Sequence, residues 1–402
     1  MNFYLLFFFG SVFSYSWKTP KFYRRCQIMC SENAPKNSIP AINWYVVGES
    51  KSIRLNKPYK TTIWGHEYVF WKNKKEGYVA MDDRCPHRGA SLSIGHLTNE
   101  NTIACPYHGY EFSKNGTLVK VPGLNFKNTP CQNVKSYPIV EKNGWIYLNI
   151  LPSSTANSSE IFDEPEASDP LYSVIFIKSD FQSYARVVSE NSLDIMHIGF
   201  VHTFGNRESP SPVKEIPPHQ VGNNPYHYRS KYDYISGKDS MVKRLFYFPN
   251  LSIENEFVLP HTTVARVIFG EFVSTVITFA TPINDTHTKL YVKTYRNFWG
   301  PSENVPTPVS NIMTYFGNAI TEDMMRKTVN QDKRVIENIP MEYIQGKFNM
   351  KYDKLQNVYR SIYKGKPRSS ESSKAGFQPP SESSKAGFQP LSESSKAGFQ
   401  PL

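Results

Sequence analysis

Between residues 85 and 108 the chain reads CPHRGASLSIGHLTNENTIACPYH, so that Cys85-x-His87 is followed after seventeen residues by Cys105-x-x-His108. Two short loops, each supplying one thiolate and one imidazole, limit what such a chain can become. In a [2Fe-2S] cluster, Cys85 and Cys105 would hold one iron, while His87 and His108 would hold the other. Replacing two thiolates by neutral imidazoles removes negative charge and raises the reduction potential, so the cluster accepts an electron readily. A tetrahedral zinc site is the competing use of two Cys and two His. Zinc fingers, however, usually run two cysteines and then two histidines, whereas here each loop carries one of each. Gly89, Pro106 and Gly109 supply the turn chemistry that two ligand loops require.

CPHRGA together with CPYHGYEF resembles the Rieske domain of ring-hydroxylating and related mononuclear iron oxygenases. It differs from the Rieske protein of respiratory complexes, whose loops carry an extra disulfide, because Ala90 and Tyr107 stand beside the ligands here. From Ile39 to about Leu151, WYVVG, YKTTIWG, HEYVFWK, GYVAMDD and GWIYLNI cluster β-branched and aromatic residues between Gly, Asn and Lys breaks. Short strands carrying two loops predict a small antiparallel β domain over 39–151, closed by a Pro/Ser/acid-rich linker over 152–170.

The second constellation runs from Glu190 through Asn191, Asp194 and His197 to His202. A set of two histidines and one carboxylate leaves three positions of Fe(II) open, so this reading needs His197, His202 and a distant acid. Five residues turn about 500 degrees on an ideal helix, which points the two rings about 140 degrees apart. The helix must therefore bulge or end between them, and Gly199 is the expected place. Alone, such a pair reads first as two satisfied core histidines. Behind the cluster motif, Asn191-x-x-Asp194-x-x-His197-x4-His202 resembles the iron motif of the same oxygenases, closer to the monooxygenase and demethylase branch than to the ring dihydroxylases. That resemblance makes Asp194 a bridge between an iron histidine and a Rieske histidine of a neighbouring subunit in a homotrimer. A carboxylate accepting from the outer nitrogen of His197 would also fix its tautomer.

The third ligand is expected from a later helix. NIMTYFGNAITEDMM places Ile312, Tyr315, Phe316, Ala319 and Ile320 at helical spacing, and KTVNQDKRVIENI follows. Spacing leaves Glu322, Asp323 and Asp332 open, since any of these acids could ligate iron. The resemblance selects Asp332. Between His202 and this helix, runs such as NLSIENEFVL and TVARVIFGEFVSTVITFA read as strands of a broad sheet. The expected fold is α+β, with the β domain followed by a helix-plus-sheet, helix-grip-like catalytic domain over 171–345 that encloses an apolar pocket. Phe200, Phe204, Phe246, Phe248 and Phe257 are candidates to line it or to fill the core. His219, His227, His261 and His287 have no partner at metal spacing and read as structural.

The net charge of +11 divides unevenly: residues 1–38 hold +4 and residues 343–402 hold +6, leaving about +1 for the body. That is too little for a phosphate-tracking surface and excludes nucleic-acid binding as the main activity. The opening MNFYLLFFFGSVFS has signal-peptide length, and a basic stretch nearly free of acids follows it. This order resembles the signal-plus-transit presequence of secondary plastids and predicts a plastid address for residues beyond 38. A plain secretory signal, or a cytoplasmic chain, is the alternative. Thiolate ligands with only Cys85, Cys105 and Cys131 beyond the presequence argue for a reducing compartment, as does Asn115-Gly-Thr beside the cluster loops. Cys26 and Cys30 lie within the presequence and receive no role. Residues 346–369 form a basic extension, and 370–402 are three copies of an eleven-residue Ser/Gly/Pro-containing repeat that reads as a disordered tail. No apolar run of spanning length occurs in 341–402.

The resemblance implies an oxygenase with a [2Fe-2S] cluster and a mononuclear Fe(2+). It would insert one atom of O2 into a hydrophobic aromatic or tetrapyrrole-like substrate, by hydroxylation or oxidative dealkylation. No GxGxxG fingerprint is present, so electrons are expected from an external ferredoxin or reductase. The rival is a Rieske electron carrier or redox sensor without the second iron.

Overall fold

A computed structural model describes residues 43–363, apart from 75–76, 124–132, 152–156, 203–204, 236–246, 303–304, 341–342 and 344–349. The N-terminal half is built on β3 (His66–Asn73), which pairs antiparallel with β2 (Tyr59–Ile63) and β4 (Gly77–Asp82). Its centre is a nearly continuous buried run because both of its faces are covered. Tyr68 and Phe70 enter one core with Tyr45, Ile146 and Leu148. Val69 and Trp71 point the other way, into a core shared with Val79, Met81, Leu92, Ile103, Phe112 and both cysteines. The first core ties on a three-stranded sheet of β1 (Trp44–Glu49), β11 (Trp145–Asn149) and β10 (Ile139–Lys142). The second ties on the lobe formed by β5 (His96–Leu97), β6 (Ile103–Ala104), β7 (Glu111–Phe112) and β8 (Leu118–Lys120). A short β9 (Ser136–Tyr137) completes the central sheet beside β4.

The C-terminal half is one seven-stranded antiparallel sheet. It comprises β12 (Ser173–Phe181), β13 (Lys214–Gln220), β14 (His227–Ile235), β15 (Asn250–Val258), β16 (Thr262–Phe269), β17 (Phe272–Pro282) and β18 (Thr288–Arg296), in the order β12-β18-β17-β16-β15-β14-β13. Period-two alternation gives its faces separate duties. Ile175, Ile177, Leu290 and Val292 pack against α1 (Ala185–Leu193) and α3 (Thr307–Ile336). Ile277, Phe279, Tyr291 and Tyr295 pack instead against Trp44, Val46, Trp145 and Tyr147 of the N-terminal half.

The long helix α3 forms where expected but presents a different face. Its buried residues are Ser310, Gly317, Thr321, Met325, Val329 and Ile336. Ile312, Tyr315, Phe316 and Ile320, the apolar stripe that marked the helix in the sequence, are exposed. Small and polar side chains let α3 approach the sheet, where Arg296 Nη1 donates to Asn318 Oδ1 at 2.8 Å and Nη2 to the Trp299 carbonyl at 3.2 Å. The stretch assigned to a basic extension, 346–369, contains α4 (Lys354–Ile362), whose Leu355 and Tyr359 are buried with Leu193, Phe257 and Leu259. Alternating Lys/Arg with apolar residues concealed an amphipathic helix that closes the domain. The presequence, Cys131, Phe204, Phe246 and the C-terminal repeats lie outside the described residues.

The seam between the halves is also packed. Trp145 meets Phe176, Phe279 and Tyr291 edge-on, with centroids 4.9, 5.8 and 5.7 Å away. The linker is part of this seam, because Glu164 is buried and accepts from Lys293 Nζ at 2.6 Å and from Tyr295 Oη at 2.7 Å. Lys293 also donates to the Asn143 carbonyl, so β18, the linker and the β10–β11 turn share one buried cation. Burial pushes Glu164 up and Lys293 down, and their mutual attraction opposes both shifts. Removing one member of such a pair strands a buried charge. Lys293→Ala should lower the unfolding free energy by about 3–5 kcal/mol, while Lys293→Met combined with Glu164→Leu should cost less than either single change in the same denaturant melts.

The lone histidines are satisfied within the fold. His227 Nε2 lies 2.8 Å from Glu256, and His261 is enclosed by the Tyr359 and Tyr363 hydroxyls at 3.0 and 3.2 Å. Burial pushes His261 down to about 3. An unfolded histidine titrates near ~6.5, so the unfolded chain binds a proton that the folded chain refuses between that pH and about 3. His261 therefore stabilises the fold fully above that window, and its contribution declines as pH falls through it. Denaturant melts across the window should show a slope approaching ~1.4 kcal/mol per pH unit that His261→Gln reduces.

Candidate functional site

The two cluster loops are near-copies of one backbone device. Cys85 N–H donates to Ala90 O and Gly89 N–H to Cys85 O, both at 2.8 Å. Cys105 N–H donates to Tyr110 O at 2.8 Å, and Gly109 N–H to Cys105 O at 3.0 Å. Each loop turns through a glycine in the left-handed region, with φ of 74° at Gly89 and 71° at Gly109. The result buries both thiols and sets the imidazoles outward, His87 partly covered and His108 exposed. Their Nδ1 atoms lie 3.2 Å apart, and Tyr110 stacks on His87 at 4.8 Å. Burial pushes the Cys85 thiol up to about 11, against the pull of the His87 and Arg88 backbone N–H groups. Cys85, His87, Cys105 and His108 thus form one constellation.

Some distance along the chain, α1 ends at Leu193 and a turn leads to the short α2 (Ile198–Val201). Asp194 Oδ1 accepts from Met196 N–H at 2.8 Å, which shapes that turn. His197 is helical and His202 extended, so the break falls at His202 and not at Gly199. Gly199 serves close approach instead, since a Cβ there would stand 2.8 Å from Pro210 Cβ. His197 Nε2 and His202 Nε2 come within 3.1 Å of each other, and Asp332 Oδ1 from α3 lies 3.3 and 3.4 Å from them.

The outer nitrogens decide what this cluster can bind. His197 Nδ1 donates to the Asp194 backbone carbonyl at 2.7 Å, and His202 Nδ1 donates to Gln331 Oε1 at 3.1 Å. Both acceptors are carbonyl oxygens, so each ring carries its proton on Nδ1 and turns an Nε2 lone pair inward. Asp332 Oδ1 meets them buried and without a hydrogen-bond partner among the described residues. Three converging lone pairs fit a cation. Burial pulls both imidazoles down. At His197 the nearby Asp332 carboxylate, helped by Asp194, outweighs it and raises the ring, whereas His202 stays lowered.

The carboxylate of Asp194 does not hold His197 as expected: Oδ2 lies 4.0 Å from Nδ1, and the backbone carbonyl makes the bond instead. Asp323 and Glu322 face solvent and pair with Lys327 and Arg326, both at 2.6 Å, away from the histidines. Gln331 was missed in the sequence, although its place beside Asp332 was the available signal. A side chain one residue from a ligand on a helix can reach the next ligand's outer atom.

Above these three residues opens a cavity of about 270 Å³. Alternate residues of the sheet line it, including Leu251, Ile253, Val267, Phe269, Val276 and Val292, with Phe298 and Met325 beyond. Of the described phenylalanines that the sequence left between pocket and core, Phe200, Phe248 and Phe257 do not line it: Phe200 is exposed, and Phe257 belongs to the core under α4. Among the described residues, no lysine or arginine borders it.

Residues 43–138 match the family of the Rieske [2Fe-2S] domain, so the chain carries that domain, with the cluster loops inside it. The fold as a whole is shared with a solved monooxygenase. The crystal structure of dicamba monooxygenase bound to dicamba superposes with a TM-score of 0.66 at 21% identity, covering 81% of this chain and 97% of that one. Among curated relatives, the chloroplastic pheophorbide a oxygenase of Oryza sativa subsp. japonica is 28% identical over 42% of this chain and 35% of its own length. The dicamba O-demethylase oxygenase component of Stenotrophomonas maltophilia is 30% identical over 40% and 46%. The matches thus span less than half the length of these relatives. No helix among the described residues is long and apolar enough to cross a membrane.

Three substitutions test whether the second site holds iron. Asp332→Ala should abolish retention of mononuclear iron while Asp323→Ala keeps it, measured as iron per acid-labile sulfide. Gln331→Leu should weaken iron binding about 10–100-fold by freeing the His202 ring, with the cluster's absorption unchanged.

Proposed function

We propose that the chain is a Rieske-type oxygenase that inserts one atom of O2 into a small hydrophobic substrate, by hydroxylation or oxidative dealkylation. The observation that carries this reading is the convergence of the His197 and His202 lone pairs on an unpartnered Asp332 oxygen, at the floor of an apolar cavity and in the same chain as a Rieske domain. Cys85, His87, Cys105 and His108 would hold the [2Fe-2S] cluster, and His197, His202 and Asp332 the iron. When bound, these groups supply stored electrons and activation of dioxygen at open iron positions. The protein's own part is geometric. Asp194 O and Gln331 hold the two rings in one tautomer, and the sheet's apolar side chains exclude water from the reacting face.

Asp194 is partly exposed, and so are the cluster histidines, which supports a role for its carboxylate between centres on neighbouring subunits. The exposed stripe of Ile312, Tyr315, Phe316 and Ile320 supports a homotrimer, since isolated chains seldom leave such a face to water. Electrons come from an external ferredoxin or reductase, and chloroplast oxygenases among the relatives support a plastid address. A cavity of about 270 Å³ favours one or two rings over a tetrapyrrole, because a benzene-sized guest already occupies an engineered cavity of ~150 Å³.

Anaerobically purified protein should contain three Fe and two sulfides per chain and give a Rieske signal by electron paramagnetic resonance after reduction. Two Fe and two sulfides, with no iron taken up on adding ferrous salt, would replace the oxygenase by an electron carrier. Asp194→Asn should keep all three irons and slow only single-turnover reoxidation of the cluster.

A further inference from the structure

One polar group in the cavity wall is left unused by the fold. Asn255 sits on β15 opposite Ala265, is 1% exposed, and faces the cavity with Leu251 and Ile253 of its own strand. Its Nδ2 points at the Ser192 carbonyl, 3.5 Å away. That contact sets the amide's orientation, because turning it over would oppose two carbonyl oxygens. Oδ1 is consequently buried without a hydrogen-bond partner among the described residues. Only one other buried side-chain oxygen among the described cavity residues is in that state, and it is Asp332 Oδ1, which faces the two imidazoles. Other wall groups are paired: Thr263 with Thr278 at 2.6 Å, the Tyr234 hydroxyl to Ile195 O at 3.3 Å, and Thr328 to Met324 O at 3.0 Å.

A buried amide oxygen without a donor is costly, and a donor on a bound molecule removes that penalty. An anion has the opposite fate. It would be desolvated where no lysine or arginine borders the cavity among the described residues, and it would face the oxygens of Asn255 and Asp332. We infer that the cavity takes a neutral, largely apolar molecule of one or two rings whose hydroxyl or N–H donates to Asn255 Oδ1. Asn255 is then a specificity-determining residue. By holding the donor end beside Ser192, it sets which part of the molecule is presented to His197, His202 and Asp332. The inference rests on the oxygenase reading only for what happens to that molecule after it binds.

The test is calorimetric titration of the full-length, iron-loaded protein, without oxygen, using 2-naphthol, 2-methoxynaphthalene and 2-naphthoate. These share a ring system and differ in carrying a donor, a capped oxygen or an anion. 2-Naphthol should bind about ten- to hundredfold more tightly than 2-methoxynaphthalene, with 2-naphthoate weakest. Asn255→Leu should erase the first difference and leave 2-methoxynaphthalene within about twofold of wild type. Equal affinity of naphthol and its methyl ether, tightest binding of naphthoate, absence of binding by all three, or survival of the preference in Asn255→Leu would each overturn the inference. If that variant does not fold, the wild-type series decides alone. Donor preference in protein that cannot retain mononuclear iron would uphold the inference and remove the oxygenase reading. Retained iron with oxygen consumption but no preference would do the reverse.

Discussion

Three lone pairs turned toward one another are held only by force from outside, and much of the C-terminal half supplies that force. His197 and His202 are locked by carbonyl oxygens behind them, and Asp332 is carried in on a helix fastened to the sheet by Arg296. Among the described residues the Asp332 oxygen has no hydrogen-bond donor, an arrangement that costs local stability, so a cation bound there would also order the site. The same economy appears in the first cluster loop, where burial pushes the Cys85 thiol up while the backbone N–H groups of His87 and Arg88 favour the thiolate.

The sheet that carries the cavity is also the wall against which the β domain rests. Its alternation serves two partners at once: one set of side chains meets the helices and the cavity, and the other meets Trp44, Trp145 and Tyr147. A one-residue slip in register would exchange these duties along a whole strand, so the cavity's apolar lining and the seam specify each other.

Much of this was legible in the sequence. Cysteine and histidine spacing located the cluster loops because ligand chemistry acts over a few residues, and strand alternation located the sheet. What stayed hidden depends on contacts distant in sequence. The apolar stripe of α3 marked a helix, but nothing local told which face would meet the sheet, and Gly317 and Thr321 went inward instead. α4 was masked by the charges it shares with the tail. Gln331 and the Asp194 carbonyl, which orient the two rings, act through a helix register and a backbone oxygen that no motif records. Phe257 could be left only as pocket or core for the same reason, since aromatic character does not reveal on which end of a strand's inner face a ring will lie; it went to the core under α4.

The seam between the halves has a mechanical consequence. Domains joined by small polar contacts swing, but here a buried lysine, a glutamate of the linker and four aromatic rings leave no slack. The chain acts as a rigid bracket that holds the cluster loops and the three-ligand site at one fixed separation. In the proposed trimer, the electron's route is then shortened by where a second bracket is placed and not by flexing of the first.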